Sequence, residues 1–212
     1  MNPPRSRRAF LASFATTAAV ATGGFQRSAS NGEALSLDSG LVPADRYECS
    51  AITRPTPLAP AAEDALEPRT YPTPPAELIS DDNRGSIDRP SSLQNSALEY
   101  ATKFERAYRQ NAFLTKYGSV TRFFALQRTA SQTSLIDSSN AAHAVLVAIV
   151  YNLTKQTQQS PPSDEWDIRA TYYFDDRIAL RAQYDGIAEK PTLSPDPRRD
   201  GELVACFGYR YR

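Results

Sequence analysis

Apolar side chains return every three to four positions between residues 91 and 117, and close to every second position after Gly118. In the first stretch Ala97, Ala101, Phe104 and Tyr108 fall on one helical face, with Leu93 a turn earlier. Ser91-Ser-Leu-Gln94 follows Pro90 as a capping box, so a helix is predicted over 92–116, ended by Gly118. Glu99 with Lys103 and Glu105 with Arg109 are oriented pairs four apart, expected on its outer side. The aromatic stripe reads as core.

Beyond Gly118, Val120, Phe124 and Leu126 share one face of a strand predicted over 120–128, with Arg122 interrupting the pattern. The nearly continuous apolar run from His143 to Asn152 predicts a central strand covered on both faces. Ile168–Phe174 and Ile178–Tyr184 flank Asp175-Asp176 and read as a tight hairpin, and Leu203–Tyr209 gives a last strand. Polar, proline-bearing loops are expected at 155–166 and 186–201. The fold class predicted is α+β, one long helix packed on an antiparallel sheet of about five strands.

The N-terminal part has neither period. Arg5, Arg7 and Arg8 precede a modestly apolar stretch from Ala9 to Ala21, the layout of a removable signal peptide. Ser6-Arg7-Arg8-Ala-Phe-Leu11 matches the twin-arginine export pattern, with Arg7 and Arg8 as its reading residues and the twin-arginine translocase as the expected partner. Ala19-Val-Ala21 predicts cleavage before Thr22. Thr22-Gly-Gly-Phe25 resembles a lipoprotein box with Phe25 in place of the cysteine, and without a thiol no lipid thioether forms there. Membrane association is then expected only through an uncleaved signal. Residues 22 to about 48 read as a flexible linker, and seven prolines between Pro55 and Pro75 read as a semi-rigid spacer or a strap over the sheet. The domain expectation is a signal at 1–21, a flexible and proline-rich linker at 22–90 and an α+β domain at 91–212.

Composition narrows the chemistry. Over 212 residues, 24 basic side chains balance 24 acidic ones, so nothing points to nucleic acid. The longest apolar run, Ala144–Tyr151, is too short to cross a bilayer. One histidine and two cysteines exclude multi-histidine and four-cysteine metal sites. In an export compartment Cys49 and Cys206 can form a disulfide; the alternative is a buried free thiol at Cys206. Phosphate-binding glycine loops and a Gly-x-Ser-x-Gly elbow are missing, so neither a nucleotide cofactor nor a serine hydrolase is expected. No metal or other cofactor is expected either.

Four groups of residues remain for function. His143 borders the central strand with no nucleophile motif near it. Asp164, Glu165, Asp167, Asp175 and Asp176 could converge at one end of the hairpin as a cation site or an acid pair. Arg169, Tyr173, Arg177 and Arg181, with Tyr209–Arg212, could share a sheet face on which guanidinium and tyrosine groups bind a glycan or anionic ligand. Asn152-Leu-Thr154 is an N-glycosylation sequon.

Tyr71-Pro-Thr-Pro-Pro75, Phe104-Glu-Arg-Ala-Tyr-Arg-Gln-Asn111 and Arg169-Ala-Thr-Tyr-Tyr-Phe174 are similar to stretches of uncharacterised exported haloarchaeal proteins. These resemble twin-arginine-exported lipoproteins with the same order of signal, proline stretch, helix and Tyr-rich strands. The likeness spans roughly residues 1–30 and 70–212; it implies export and brings no activity with it. The expectation is therefore an exported, non-enzymatic binding or cell-envelope module. A hydrolase using acids near 164–176 is the alternative, and a cone-like fold housing a small ligand is a third possibility.

Overall fold

The computed structural model describes residues 40–43, 45–79, 89–137 and 143–207. Short helix α1 (Ala76–Ile79) precedes the long helix α2 (Arg89–Tyr117). Five strands follow: β1 (Thr121–Asp137), β2 (His143–Thr157), β3 (Ser160–Phe174), β4 (Ile178–Gln183) and β5 (Glu202–Cys206). A single turn of helix, α3 (Pro197–Asp200), leads into β5. The strands lie side by side in chain order, each antiparallel to the next.

Helix α2 has 29 residues, about 43 Å of helix at 1.5 Å per residue. It starts two residues before the capping box and ends at Tyr117, where Gly118 takes the left-handed φ of 54° that a helix stop favours. Ala97, Tyr100, Ala101, Phe104 and Phe113 press onto one face of the sheet, against Val145, Val147, Ile149, Tyr151 and Leu153 of β2 and Tyr172 and Phe174 of β3. The alternate residues Ala144, Leu146, Tyr173, Ile178, Leu180 and Leu203 form a second core on the opposite face. Two covered faces explain the unbroken apolar run in β2.

The second face is closed by the segment expected to be a flexible linker. Val42 is buried there, with Leu41, Tyr47 and Ile52 packed beside it. Gly40, at φ 73°, sits so close to Ile136 that any side chain would collide with it. Thr53 N donates to Leu203 O at 2.9 Å, covering part of the outer edge of β5. Cys49 and Cys206 are joined across this contact, with Cα atoms 5.9 Å apart. The proline-rich stretch continues as a strap along α2, with Ala65 and Leu78 buried and Leu66 and Tyr71 packed against the core, while Leu58 stays 92% exposed.

Two strand boundaries differ from expectation. The loop expected at 155–166 is the far end of the β2–β3 hairpin, with a turn at Gln158 and Gln159. Both of its faces are solvated from Ser160 to Asp164, so no hydrophobic period marks it. Pro161 and Pro162 are tolerated because β4 pairs only with Ala170–Phe174, leaving β3 one neighbour there. β1 runs nine residues past its predicted end at Arg128 because a bulge between Arg128 and Ala130 inverts the alternation. Before the bulge Phe124 and Leu126 face α2; after it Thr133 and Leu135 do, opposite Val147 and Val145. The last strand ends at Cys206, short of the predicted Tyr209.

Candidate functional site

The four residues predicted to share a ligand face are divided between the two sides of the sheet. Arg181 pairs with Tyr172 in register and lies on the α2 side, 5% exposed. Arg169 and Tyr173 point to the opposite side, where Tyr173 is fully buried. Arg177 sits in the β3–β4 turn. Pleat alternation separates them: register partners on neighbouring strands share a face, and Arg181 is opposite Tyr172, not Tyr173. The single Arg/Tyr face is therefore not formed.

What Arg181 meets is Glu105, the residue the helix pattern placed outside. Glu105 is fully buried, and its carboxylate accepts from Arg181 Nε and Nη2, both at 2.8 Å. The hydroxyls of Tyr151 and Tyr172 also donate to it, one to each oxygen. The guanidinium lies 4.2 Å from the Tyr108 ring centroid and donates to Gln183 Oε1 at 3.0 Å. Burial alone would raise the Glu105 pKa, but the charge and hydrogen bonds of Arg181 and the two tyrosine hydroxyls lower it to about 2. Tyr151 and Tyr172 are pushed well above the ordinary phenol value, first by burial and then by the Glu105 charge. The cluster is thus a carboxylate, a guanidinium and two neutral phenols through any ordinary pH.

From this centre a polar chain reaches the surface. Arg109 donates to Gln183 Oε1 at 3.1 Å and to Glu165 Oε2 at 3.3 Å, and Lys155 pairs with the other oxygen of Glu165. Glu105 therefore does not pair with Arg109 as the four-residue spacing suggested. One turn on, Asn111 holds the strap: Arg69 N donates to Asn111 Oδ1 and Asn111 Nδ2 to Arg69 O, both at 2.9 Å. Gln110 Nε2 donates to Glu67 O at 2.8 Å, and Arg69 Nε to Gln110 Oε1 at 3.0 Å. The Tyr71 ring then lies tilted against Phe104, centroids 4.9 Å apart, with the Arg54 guanidinium carbon 4.6 Å from the Tyr71 centroid and the Tyr71 hydroxyl donating to Pro55 O. Burial raises Tyr71 to about 12.

The acidic residues of 164–176 do not converge. Asp164 and Glu165 lie near the start of β3 and Asp175 just past its end. Ten or so residues of strand at about 3.3 Å each hold them roughly 30 Å apart, several times the 5–9.5 Å separation of paired glycosidase carboxylates. Asp164, Glu165, Asp175 and Asp176 are also engaged, Asp176 by Arg177 Nε at 3.8 Å. Asp164 accepts from Thr154 Oγ1 at 2.7 Å, and Asp175 Oδ1 accepts the Arg177 and Ile178 amides, both at 2.8 Å. Asp175 Oδ2 accepts from Tyr173 Oη at 3.1 Å and Arg177 Nη2 at 2.9 Å. Tyr173 Oη in turn accepts from Val42 N at 3.2 Å, and Arg177 donates to Val42 O at 2.8 Å, so the turn clamps the N-terminal segment.

Among the described residues no group of three or more His, Cys, Asp or Glu side chains is placed to hold a metal, and no helix is long and apolar enough to cross a membrane. Asn152 is half-buried in β2 and its Oδ1 accepts from Asp167 N at 3.0 Å, inside a bulge where Asp167 adopts φ 53°. Arg7 and Arg8, the cleavage stretch, Phe25, Tyr209–Arg212 and the side chain of His143 lie outside the described residues. No protein-family model, curated protein or solved structure matches this chain.

Proposed function

We propose that this chain is an exported, non-enzymatic binding module of the cell envelope, delivered through the twin-arginine pathway. The observation that carries the reading is the commitment of the three carboxylates that sit at its polar junctions. Glu105 is saturated by one guanidinium and two phenols, Asp175 by two amides, a phenol and a guanidinium, and Glu165 by Arg109 and Lys155. A general acid or base needs a proton to exchange with substrate and a pKa near the working pH. Glu105, at about 2 and sealed from solvent, has neither. The disulfide that ties the N-terminal segment to β5 suits an oxidising compartment.

The test has two arms. Intact mass of the protein in membrane and medium fractions of its host should give a species beginning near Thr22 that carries the Cys49–Cys206 bridge. A panel of glycoside and ester substrates should show no turnover. Turnover abolished by Asp164→Asn or Asp175→Asn would restore the hydrolase reading, and an uncleaved species confined to membranes would remove export of a released module.

A further inference from the structure

Four charged side chains among the described residues are buried: Glu105, Arg169, Asp175 and Arg181. Glu105 and Arg181 neutralise each other, and Asp175 faces Arg177. Arg169 is only 7% exposed, yet no carboxylate among the described residues lies within ion-pair distance of it. Its hydrogen bonding is limited to Nη1 donating to Lys190 O at 3.1 Å, and its buried Nε has no partner. Buried charges are ordinarily paired, so the fold holds a cation whose counter-charge is not supplied among the described residues.

Arg169 lies beneath an aromatic side chain that reaches solvent. Its guanidinium carbon lies 4.1 Å from the centroid of the Tyr184 ring, and Tyr184 is 38% exposed. Tyr184 N donates to Arg169 O at 3.1 Å and Ala188 N to Asp167 O at 2.7 Å, so segment 184–188 runs alongside 167–169. That register sets Ile187, 78% exposed, beside Asp167 and Ile168, and leaves Trp166, 62% exposed and the sole tryptophan of the chain, one residue further along the same strand. The Asp167 bulge re-aims this part of β3 and leaves Trp166 in solvent.

We propose that this corner binds an acidic sugar, its carboxylate or sulfate on Arg169 and its ring against the exposed faces of Trp166 and Tyr184. The proposal rests on the envelope-module reading and names its ligand class. An inorganic anion would have no use for Trp166 and Tyr184. A densely anionic surface would be repelled by the exposed Asp185 and Glu189 of the same loop. A single acidic group on a flat ring satisfies both constraints, because a planar guanidinium takes a carboxylate or sulfate through two donors and an aromatic face takes the C–H face of a sugar.

The test uses the purified full chain, whose lone Trp166 makes intrinsic fluorescence a direct reporter. A trisaccharide carrying one terminal galacturonate and a trisaccharide carrying one sulfate are titrated, with maltotriose as neutral control. At least one acidic probe should shift the Trp166 emission and bind, maltotriose should not, and added salt should weaken the binding. Tyr184→Ala, and Trp166→Ala followed by calorimetry, should each reduce affinity about tenfold or more. Arg169→Lys keeps the charge but loses the two-donor geometry and should weaken acidic-probe binding with the fold intact by circular dichroism. Absence of binding to both acidic probes, equal binding of maltotriose, or affinities untouched by Trp166→Ala and Tyr184→Ala would overturn the proposal. Co-sedimentation with the host envelope separates the two levels. Wild type and Trp166→Ala sedimenting equally would remove this site and leave the module reading, whereas wild type failing to sediment would remove the module reading itself.

Discussion

The Glu105 carboxylate grips the Arg181 guanidinium through both Nε and Nη2, across 76 residues of sequence and entirely out of solvent. It is the point where α2, β2, β3 and β4 meet, since Tyr151 and Tyr172 donate to the same two oxygens. The neighbours of Glu105 on α2 extend this junction: Phe104 carries Tyr71, and Gln110 and Asn111 carry the strap backbone. About two turns of helix, Phe104 to Asn111, thus fix the strap on one side and the sheet on the other.

Acid should unfold the protein in a defined window. Glu105 has a folded pKa of about 2, below its ordinary value of 4.5, so its contribution is fully present above about pH 4.5 and is lost as pH falls toward 2. The difference corresponds to about 3 kcal/mol. Denaturant midpoints measured from pH 6 to pH 2 should decline mainly below pH 4.5; a flat profile to pH 2 would contradict the buried ion pair.

Reduction of Cys49–Cys206 should destabilise the N-terminal segment first. The bridge spans 157 residues, for which chain entropy allows at most about 5 kcal/mol. Cys49→Ser should lower the melting temperature and bring protease cleavage between Asp45 and Pro60, where the segment leaves the β5 edge. Equal protease resistance with and without reductant would show that packing of Val42 and Ile52 alone holds it.

Asn111→Ala should free the strap. Two backbone hydrogen bonds to Arg69 are lost, about 2 kcal/mol together. Asn111→Asp keeps the acceptor for Arg69 N and loses the donor, so an intermediate loss is expected. Hydrogen exchange at the Arg69 amide reads this directly and should accelerate in both variants.

Asp175→Ala should cost about 2 kcal/mol or more, because two turn amides and the Tyr173 hydroxyl lose their acceptor. Asp175→Asn retains an oxygen for both amides and should cost roughly half as much. Urea unfolding of the two variants checks the order.

The elements with one simple period were legible in the sequence. The α2 stripe through Ala97, Ala101 and Phe104, the apolar run of β2 and the Asp175-Asp176 turn all follow from local pattern. β1 beyond Arg128 was hidden by the bulge, which shifts the period by one, and the end of the β2–β3 hairpin by having no buried face. Glu105 was misplaced because spacing along a helix names only partners on that helix, and Arg109 was the nearest. The signal was present in a different form. Glu105 lies four residues from Ala101, inside the apolar stripe, and Arg181 stands inside the apolar strand Ile178–Ala182. An acid and a base embedded in two apolar elements are each other's natural partners, but only the packing of α2 on the sheet brings them together, with the register of β3 and β4 setting Arg181 opposite Tyr172. That same register separates Arg181 from Tyr173 and dissolves the face expected of them.

The claim that Glu105 is the structural keystone of this fold is tested most directly by a double-mutant cycle with Arg181, read as denaturant unfolding free energies. Glu105→Gln and Arg181→Met should each cost about 3–5 kcal/mol, since each leaves a buried partner uncompensated. The double variant should cost far less than their sum, a coupling of about 2 kcal/mol or more. Single variants near wild-type stability, or losses that simply add, would contradict the account.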